Sequence, residues 1–359
     1  MEELAKKARL LMGIVMTLAG VVVVLFVTLI AYHLNPAAFR ASPVAENGST
    51  PEASAPVATV PTAAVWHPRS IETDLPAGER GKQIRYGYQL ISETPRWLGP
   101  HADEPALRLA GNELACKNCH LGAGTKAGAI SFVGVAQRFP QFRGREGKMG
   151  TLEDRINGCM ERSMNGQELP TQSAEMQAMV AYIQWLSEDV PEAKLAEYKG
   201  LPAFEIPAIK ADTVQGKAIY EAQCQACHGT HGEGIRQPGG GAGYLYPPLW
   251  GADSYNHGAG MRRVLTAAPF IKANMPFGVS WENPRLTDEE ALHVAAYINH
   301  FERPHKANTA EDFPDKKLKP VSTPYGPWED PFPAEQHQYG PFPPIVDYYQ
   351  KTFALKKTN

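Results

Sequence analysis

The pattern of apolar and polar positions divides the chain into regions of different physical character. Leu10–Tyr32 is an apolar run without a charged residue, long enough to cross a bilayer as a helix. Lys6, Lys7 and Arg9 precede it, which favours a cytoplasmic N-terminus (1–9), an uncleaved anchor at 10–32 and export of the remaining chain. A cleaved signal peptide is the alternative; the run is long for one, and no small-x-small site stands directly behind it. Residues 33–70 turn abruptly to Ala, Pro, Ser and Thr with little to bury, which predicts a flexible tether. Beyond it, helical periodicity appears in "RGKQIRYGYQLI", "SAEMQAMVAYIQWL", "QGKAIYEAQ" and "LTDEEALHVAAYINHF". The first and third share Gly-Lys followed by apolar and Tyr positions, and the second and fourth share Ala-Tyr-Ile. Thr287 and Glu290 have the spacing of a capping box. An opening and a closing helix, repeated, predict two all-α domains in tandem, 71–204 and 205–303, divided within the Pro-punctuated stretch Tyr198–Asp212. The last segment, 304–359, is dense in Pro and aromatics, unlike a disordered tail, and predicts an extended segment packed along the folded body.

The formal charge of −3 gives no reason to expect a nucleic-acid partner. Cysteine usage is more informative. Four of the five cysteines form Cys116-Lys-Asn-Cys119-His120 and Cys224-Gln-Ala-Cys227-His228. Each is a Cys-x-x-Cys-His motif, the attachment signature of c-type haem, in which both thiols bond to one porphyrin and the next residue supplies an imidazole to iron. A zinc site or a redox dithiol would not need the His in both copies of an exported chain. The expectation is therefore two covalently bound haems in two tandem class I cytochrome c domains. The first domain differs by the stretch Ser92–Ala115, inserted between its opening helix and Cys116. An insertion of that size suggests a modified environment at that haem.

A c-type haem commonly takes a second axial ligand, Met or His. In the second domain Met275, in "IKANMPFG", can swing over the distal face from a loop ahead of the closing helix; Met261 is the rival. The corresponding loop of the first domain has no Met-Pro, but it has Cys159, placed after His120 much as Met275 is after His228. The partners of Cys159 are consumed by haem, and a free exposed thiol is a liability in an oxidising compartment. An inert buried thiol and a ligand to the first haem are the remaining readings, ligation being the more economical. A thiolate would lower that haem's potential relative to a Met-ligated one, giving electron flow from the first haem to the second.

Arg138, Arg143, Arg145, Lys148, Arg155 and Arg162 surround this cysteine, along with several acids. Such a cluster serves a solvated surface, haem propionates or an oxyanion, for which arginine's rigid fork is suited. If the segment is helical, Arg155, Cys159 and Ser163 share one face. "RINGCMERSMNG", "PPLWGADSYNHGAGM", "FIKANMPFG", "WENPRLTDEEALHVAAYIN" and "PYGPWEDPFPAEQHQYGPF" together resemble the dihaem thiosulfate dehydrogenase family, over about residues 75–345. The resemblance implies oxidation of two thiosulfates to tetrathionate with electrons passed to an external acceptor, reversible in some members. It implies His120 and Cys159 on the catalytic haem, His228 and Met275 on the electron-exit haem, and Arg145, Arg155 and Ser163 at the substrate. Some members carry Lys before the distal Met and exchange the two ligands; this chain has Asn274 there.

The expected setting is a bacterial inner membrane, held by the single N-terminal helix, with the catalytic domains in the periplasm. The expected acceptor is a periplasmic or membrane protein, such as a cytochrome c or a high-potential iron-sulfur protein. A membrane-tethered electron-transfer cytochrome with no substrate of its own is the alternative, and a cytochrome subunit of a larger sulfur-oxidising complex is a third reading. Neither accounts for Cys159 and the residues around it as well as the enzyme does.

Overall fold

The computed structural model describes residues 12–26 and 66–357. The first of these segments is a helix, α1 (12–26), with its apolar side chains exposed. Among the described residues, no helix is long and apolar enough to cross a membrane. The remainder of the predicted anchor and the predicted tether up to residue 65 lie outside the described residues. The last part of that predicted tether is not free chain. Trp66 meets Tyr198 edge-on at 5.6 Å, and Arg69 pairs with Glu188 at 2.8 Å and lies over the Trp185 ring. These aromatic and ionic anchors put 66–70 on the folded body.

The unit that begins at Val65 holds the two predicted halves. The first contains α2 (Gly78–Ser92), α3 (Thr94–Leu98), α4 (Leu152–Met160) and α5 (Ala174–Leu186), with α6 (Glu192–Leu195) leading out of it. The second contains α7 (Thr213–Gln223), α8 (Gln225–His228), α9 (Val264–Asn274) and α10 (Asp288–Ile298). Two short antiparallel hairpins sit in the connections, β1 (Gln141–Arg143) with β2 (Lys148–Gly150) and β3 (Ile235–Arg236) with β4 (Tyr244–Tyr246). Local chemistry sets the helix starts. Ser173 accepts from Met176 N to open α5, Asp212 accepts from Val214 N to open α7, and Thr287 and Glu290 close the expected capping box on α10.

The repeat is real, but its register differs from the one the Gly-Lys pairs suggest. A Cβ on Gly87 would stand 2.0 Å from Ala178 O of α5 and 2.9 Å from Tyr182 Cβ. A Cβ on Gly216 would stand 2.2 Å from His293 O of α10 and 2.8 Å from Tyr297 Cβ. Gly216 thus corresponds to Gly87, not to Gly81, whose own close neighbour is Pro76 O. In each half the opening helix crosses the closing one where a glycine lets backbone touch backbone, against the Tyr of Ala-Tyr-Ile.

Two cores result. The first gathers Leu90, Ile91, Tyr182 and Trp185, together with Tyr255 and Ala259 from the second half of the sequence. The second gathers Val264, Leu265, Leu292 and Ala295, together with Val321, Phe342, Ile345 and Tyr349 of the final segment. That segment is extended over its first part but ends in α11 (Ala334–Tyr339) and α12 (Pro343–Phe353). Pro343 and Pro344 stand at the first positions of α12, where a missing N–H costs nothing, and the helix buries Ile345 and Tyr349 on one face. The expectation of an extended segment packed along the body did not include this amphipathic helix.

Replacing Gly87 or Gly216 by Ala should therefore destabilise the protein by about 1–3 kcal/mol each, the cost of overpacking a close contact. Denaturant unfolding of each variant measures this; an unchanged midpoint would show that the crossings can open without cost.

Candidate functional site

The first Cys-x-x-Cys-His motif lies on a tight turn, Cys116–Asn118, and the second on α8. Both present their histidine in the same way. His120 Nδ1 meets Ile130 O at 2.6 Å, and His228 Nδ1 meets Pro247 O at 2.8 Å. A carbonyl that takes the Nδ1 proton leaves Nε2 bare and aimed, the tautomer a metal requires. Burial lowers the His228 pKa, which also favours the neutral ring. The inserted stretch folds back onto the first motif: Cys116 N donates to Thr94 Oγ1 at 3.1 Å, and the same hydroxyl lies 3.4 Å from Cys116 Sγ.

One cavity of about 700 Å³ is lined by both motifs, by Cys159, and by both Met261 and Met275. Its walls are otherwise largely apolar, with Ile91, Phe132 and Ile183 in one half and Leu249, Phe270 and Ile298 in the other. The two sites are thus continuous. An apolar cavity with a bare imidazole and paired thiols at each end suits two flat, covalently held macrocycles, and the residues present fit a c-type haem in each half.

Cys159 stands on α4, opened by a Thr151/Asp154 capping box with Glu153 also in its first turn. One helical turn earlier, Arg155 donates from Nη1 to Cys159 Sγ at 2.8 Å. Burial pushes the Cys159 thiol up, but the charge of Arg155, joined by that of His120 where its ring is protonated, outweighs it and brings it down to about 6. Three other cysteines behave oppositely: burial pushes Cys116 up to about 11, and Cys119 and Cys224 up to about 12. The Arg155 guanidinium therefore favours a thiolate at Cys159, which faces His120.

The other predicted site residues are placed unevenly. Helix α4 ends at Met160, so Ser163 is not on its face, yet it lines the cavity beside Arg155 and Cys159. Asn112 Nδ2 holds that turn by donating to Ser163 O at 2.9 Å. Arg145 does not line the cavity. Its Nη1 pairs with Asp312 Oδ2 at 2.7 Å and also donates to Tyr325 OH and Gly258 O. Arg162 takes the other oxygen of Asp312 at 2.8 Å. Met275 comes directly after the last residue of α9 and lines the cavity, whereas Asn274 is buried with Nδ2 donating to Gly128 O and Phe270 O.

The comparisons with known proteins agree with this geometry. A family model described as "SoxA/TsdA, cytochrome c domain" matches residues 109–191, and one described as "Cytochrome C oxidase, cbb3-type, subunit III" matches residues 211–298. The chain is 42% identical over 250 residues to a thiosulfate dehydrogenase of Allochromatium vinosum, covering 68% of this chain and 84% of that relative. It is 38% identical over 244 residues to one of Psychrobacter arcticus, covering 68% and 70% respectively. This chain belongs to the thiosulfate dehydrogenase family. It is also similar to the "as isolated" structure of thiosulfate dehydrogenase (TsdBA) from Marichromatium purpuratum, with a TM-score of 0.60 and 37% identity. That match covers 68% of this chain and 50% of the other, so the chain spans half the length of that solved protein. Two cytochrome c domains of this family carry two c-type haems.

Sequence reasoning about this dehydrogenase-family site missed Asp312 and Tyr325. Asp312 and Tyr325 come from the final segment, far along the chain from Arg145, and no local pattern announces such a partnership. Asp312 is held below the usual carboxylate range: burial opposes ionisation, but Arg145, the Tyr325 hydroxyl and Arg162 outweigh it. Its contribution to stability is thus present above the ordinary Asp pKa and is lost as pH falls through the lowered folded-state value. Asp312→Asn should cost about 3–5 kcal/mol at neutral pH, as when one partner of a buried ion pair is removed. The difference from the parent should shrink on acidification; unfolding midpoints across pH measure it, and a pH-independent gap would mean the loss is one of packing.

Proposed function

We propose that this chain joins two thiosulfate dianions through one new sulfur–sulfur bond, giving the tetrathionate dianion and two electrons for an external acceptor. The observation that carries the proposal is the Cys159 thiolate, held by Arg155 at 2.8 Å and opposed to His120. An electron carrier needs neither a low-pKa thiol nor a guanidinium on it, so the enzyme is favoured over the carrier. Cys116, Cys119, Cys224 and Cys227 would hold the two haems covalently, His120 and Cys159 would ligate the iron of the first, and His228 and Met275 that of the second. When bound, the haems accept the released electrons and pass them onward. Cys159 would take the sulfane sulfur of one thiosulfate as a Cys–S–S–sulfonate, two electrons leaving to the acceptor chain; the second thiosulfate attacks that sulfane sulfur and displaces the Cys159 thiolate, and Arg155 reduces the repulsion between the reacting anions. Ser163 offers a hydroxyl on the same wall. Arg145 supports that wall through Asp312 and Gly258, and through it helps hold substrate.

We place the chain in a bacterial inner membrane through Leu10–Tyr32, with both cytochrome domains in the periplasm. The charges before the run, its lack of charge and the exposed apolar side chains of 12–26 support this reading. The acceptor is then a periplasmic or membrane redox protein, such as a cytochrome c or a high-potential iron-sulfur protein.

Cys159→Gly should retain both haems and lose thiosulfate-dependent turnover by roughly a thousandfold or more, the scale of removing a nucleophile. Cys159→Met should not restore it, because a thioether cannot act as a thiolate nucleophile. Tetrathionate formation near the parent rate by either variant, assayed on haem-loaded protein, would leave Cys159 a structural thiol. For the exit site, Met275→Gly should abolish any weak near-infrared band between methionine sulfur and ferric iron; survival of that band would assign the ligand to Met261.

A further inference from the structure

The stretch 92–115 separates the opening helix of the first half from Cys116, and Thr94 ties its start to that motif. Its end does something different and runs beside the turn that follows α4. Gly111 N donates to Met164 O at 2.9 Å, and Gln167 N donates to Leu109 O at 2.8 Å. A Cβ on Gly111 would stand 2.0 Å from Asn165 O, and one on Gly166 would stand 2.0 Å from Leu109 O, so the two backbones touch.

Two buried carboxamides close on this turn from opposite halves of the sequence. Asn112, 0% exposed, belongs to the insertion, and Asn256, 1% exposed, to the second half. Asn112 Nδ2 donates to Ser163 O at 2.9 Å and to Ser254 O at 3.1 Å. Asn256 Nδ2 donates to Glu161 O at 2.8 Å and to Asn165 Oδ1 at 3.1 Å, while its backbone N donates to Arg162 O at 3.1 Å. Each Oδ1 is used locally, accepting from Leu114 N at 3.3 Å and from Gly258 N at 3.1 Å respectively. Both protons of each Nδ2 are thus placed. Withdrawing the turn would leave two buried amides without acceptors, which is costly. The turn they hold also carries the site. Arg162 N and Met164 N donate to Cys159 O at 3.2 and 3.0 Å, and Ser163 lines the cavity beside Cys159.

We infer that Asn112 and Asn256 are positioning residues for the Cys159 site, clamping the turn 161–165 from both halves of the chain and so fixing where Cys159 and Ser163 stand in the cavity. The inference rests on the catalytic role proposed for Cys159. It gives the insertion a purpose, since Asn112 is part of it, and it makes the wall beside the thiolate a joint product of both halves.

Asn112→Asp and Asn256→Asp keep the shape and the local acceptor but lose the donors to the turn. Asn112→Ala and Asn256→Ala, which bring no buried charge, replace either one that fails to load both haems. In the oxidised, haem-loaded full chain, the electron paramagnetic resonance signal of the first haem, identified as the one altered by Cys159→Gly, should become heterogeneous. The signal altered by Met275→Gly should stay as in the parent. Each asparagine variant should raise KM for thiosulfate about fivefold or more, the scale of a lost hydrogen bond. Ser163→Ala should have a smaller effect in either background than in the parent, because residues that act through one another are not additive. An unaltered first signal would overturn the inference. So would equal broadening of both signals, which would make the asparagines general packing residues, and so would an undiminished effect of Ser163→Ala. A parent chain that thiosulfate does not reduce would instead sink the underlying reading of function, with the resonance comparison still deciding whether the two amides place Cys159.

Discussion

The backbone contact at the two helix crossings is the constraint on which the rest depends. At Gly87 and again at Gly216, the opening helix lies directly against a carbonyl of the closing helix. No side chain can be interposed, so the distance between the helices is set by the main chain. The opening helix of the second half runs directly into its Cys-x-x-Cys-His motif, and the loop bearing Met275 joins α9 to the closing helix α10. Fixing the crossing therefore fixes the wall from which His228 projects relative to the wall that carries Met275. In the first half the same crossing is separated from Cys116 by the inserted stretch, and Thr94 restores the link through its hydroxyl on Cys116 N. The insertion alters the surroundings of the first site without releasing it from the scaffold.

On this scaffold the two ends of one apolar cavity are made electrically unequal. Burial alone pushes thiols up, as Cys116, Cys119 and Cys224 show. Cys159 departs from them because a guanidinium one helical turn away is delivered to its sulfur. An i,i+4 pair is worth little on a solvated helix surface, but in a low-dielectric cavity the same pair decides the protonation state. At the other end the candidate distal atom is an uncharged thioether sulfur, and His228 is kept neutral by burial. Anionic sulfur at one end and neutral sulfur at the other is the asymmetry on which the proposed direction of electron transfer rests.

How much the sequence made legible depends on the range of the interactions involved. The Cys-x-x-Cys-His motifs, the capping boxes and the Arg155–Cys159 spacing are local, and each could be read without knowing the fold. The periodicity of the four helices was equally plain, but their mutual register was not. Gly81-Lys82 and Gly216-Lys217 match as letters, whereas the crossing selects Gly87, because only contact with the partner helix distinguishes one glycine from another. Ser163 reached the cavity wall although α4 stops before it, through a turn held by Asn112. Arg145 was grouped with substrate residues on the strength of its neighbourhood in sequence and of family resemblance. Its partner Asp312 lies in the final segment, and nothing local could reveal that its charge is already compensated.

That final segment is best understood as part of the site's electrostatics. Asp312 holds Arg145 and Arg162 at once, Tyr325 donates to the same carboxylate at 2.6 Å, and Phe313 N donates to Arg145 O at 2.7 Å. The segment carrying these groups is itself anchored by Phe342, Ile345 and Tyr349 in the core of the second half. Arginines of the first half are therefore positioned by a carboxylate whose place is set by packing against the second. Without that carboxylate, Arg145 and Arg162 would add their uncompensated charge to that of Arg155. With it, positive charge is withdrawn from the supporting wall and left where the cavity is open. The tail thus does what a larger number of local acids would do less selectively, since acids beside Cys159 would also repel the anions the site is proposed to receive.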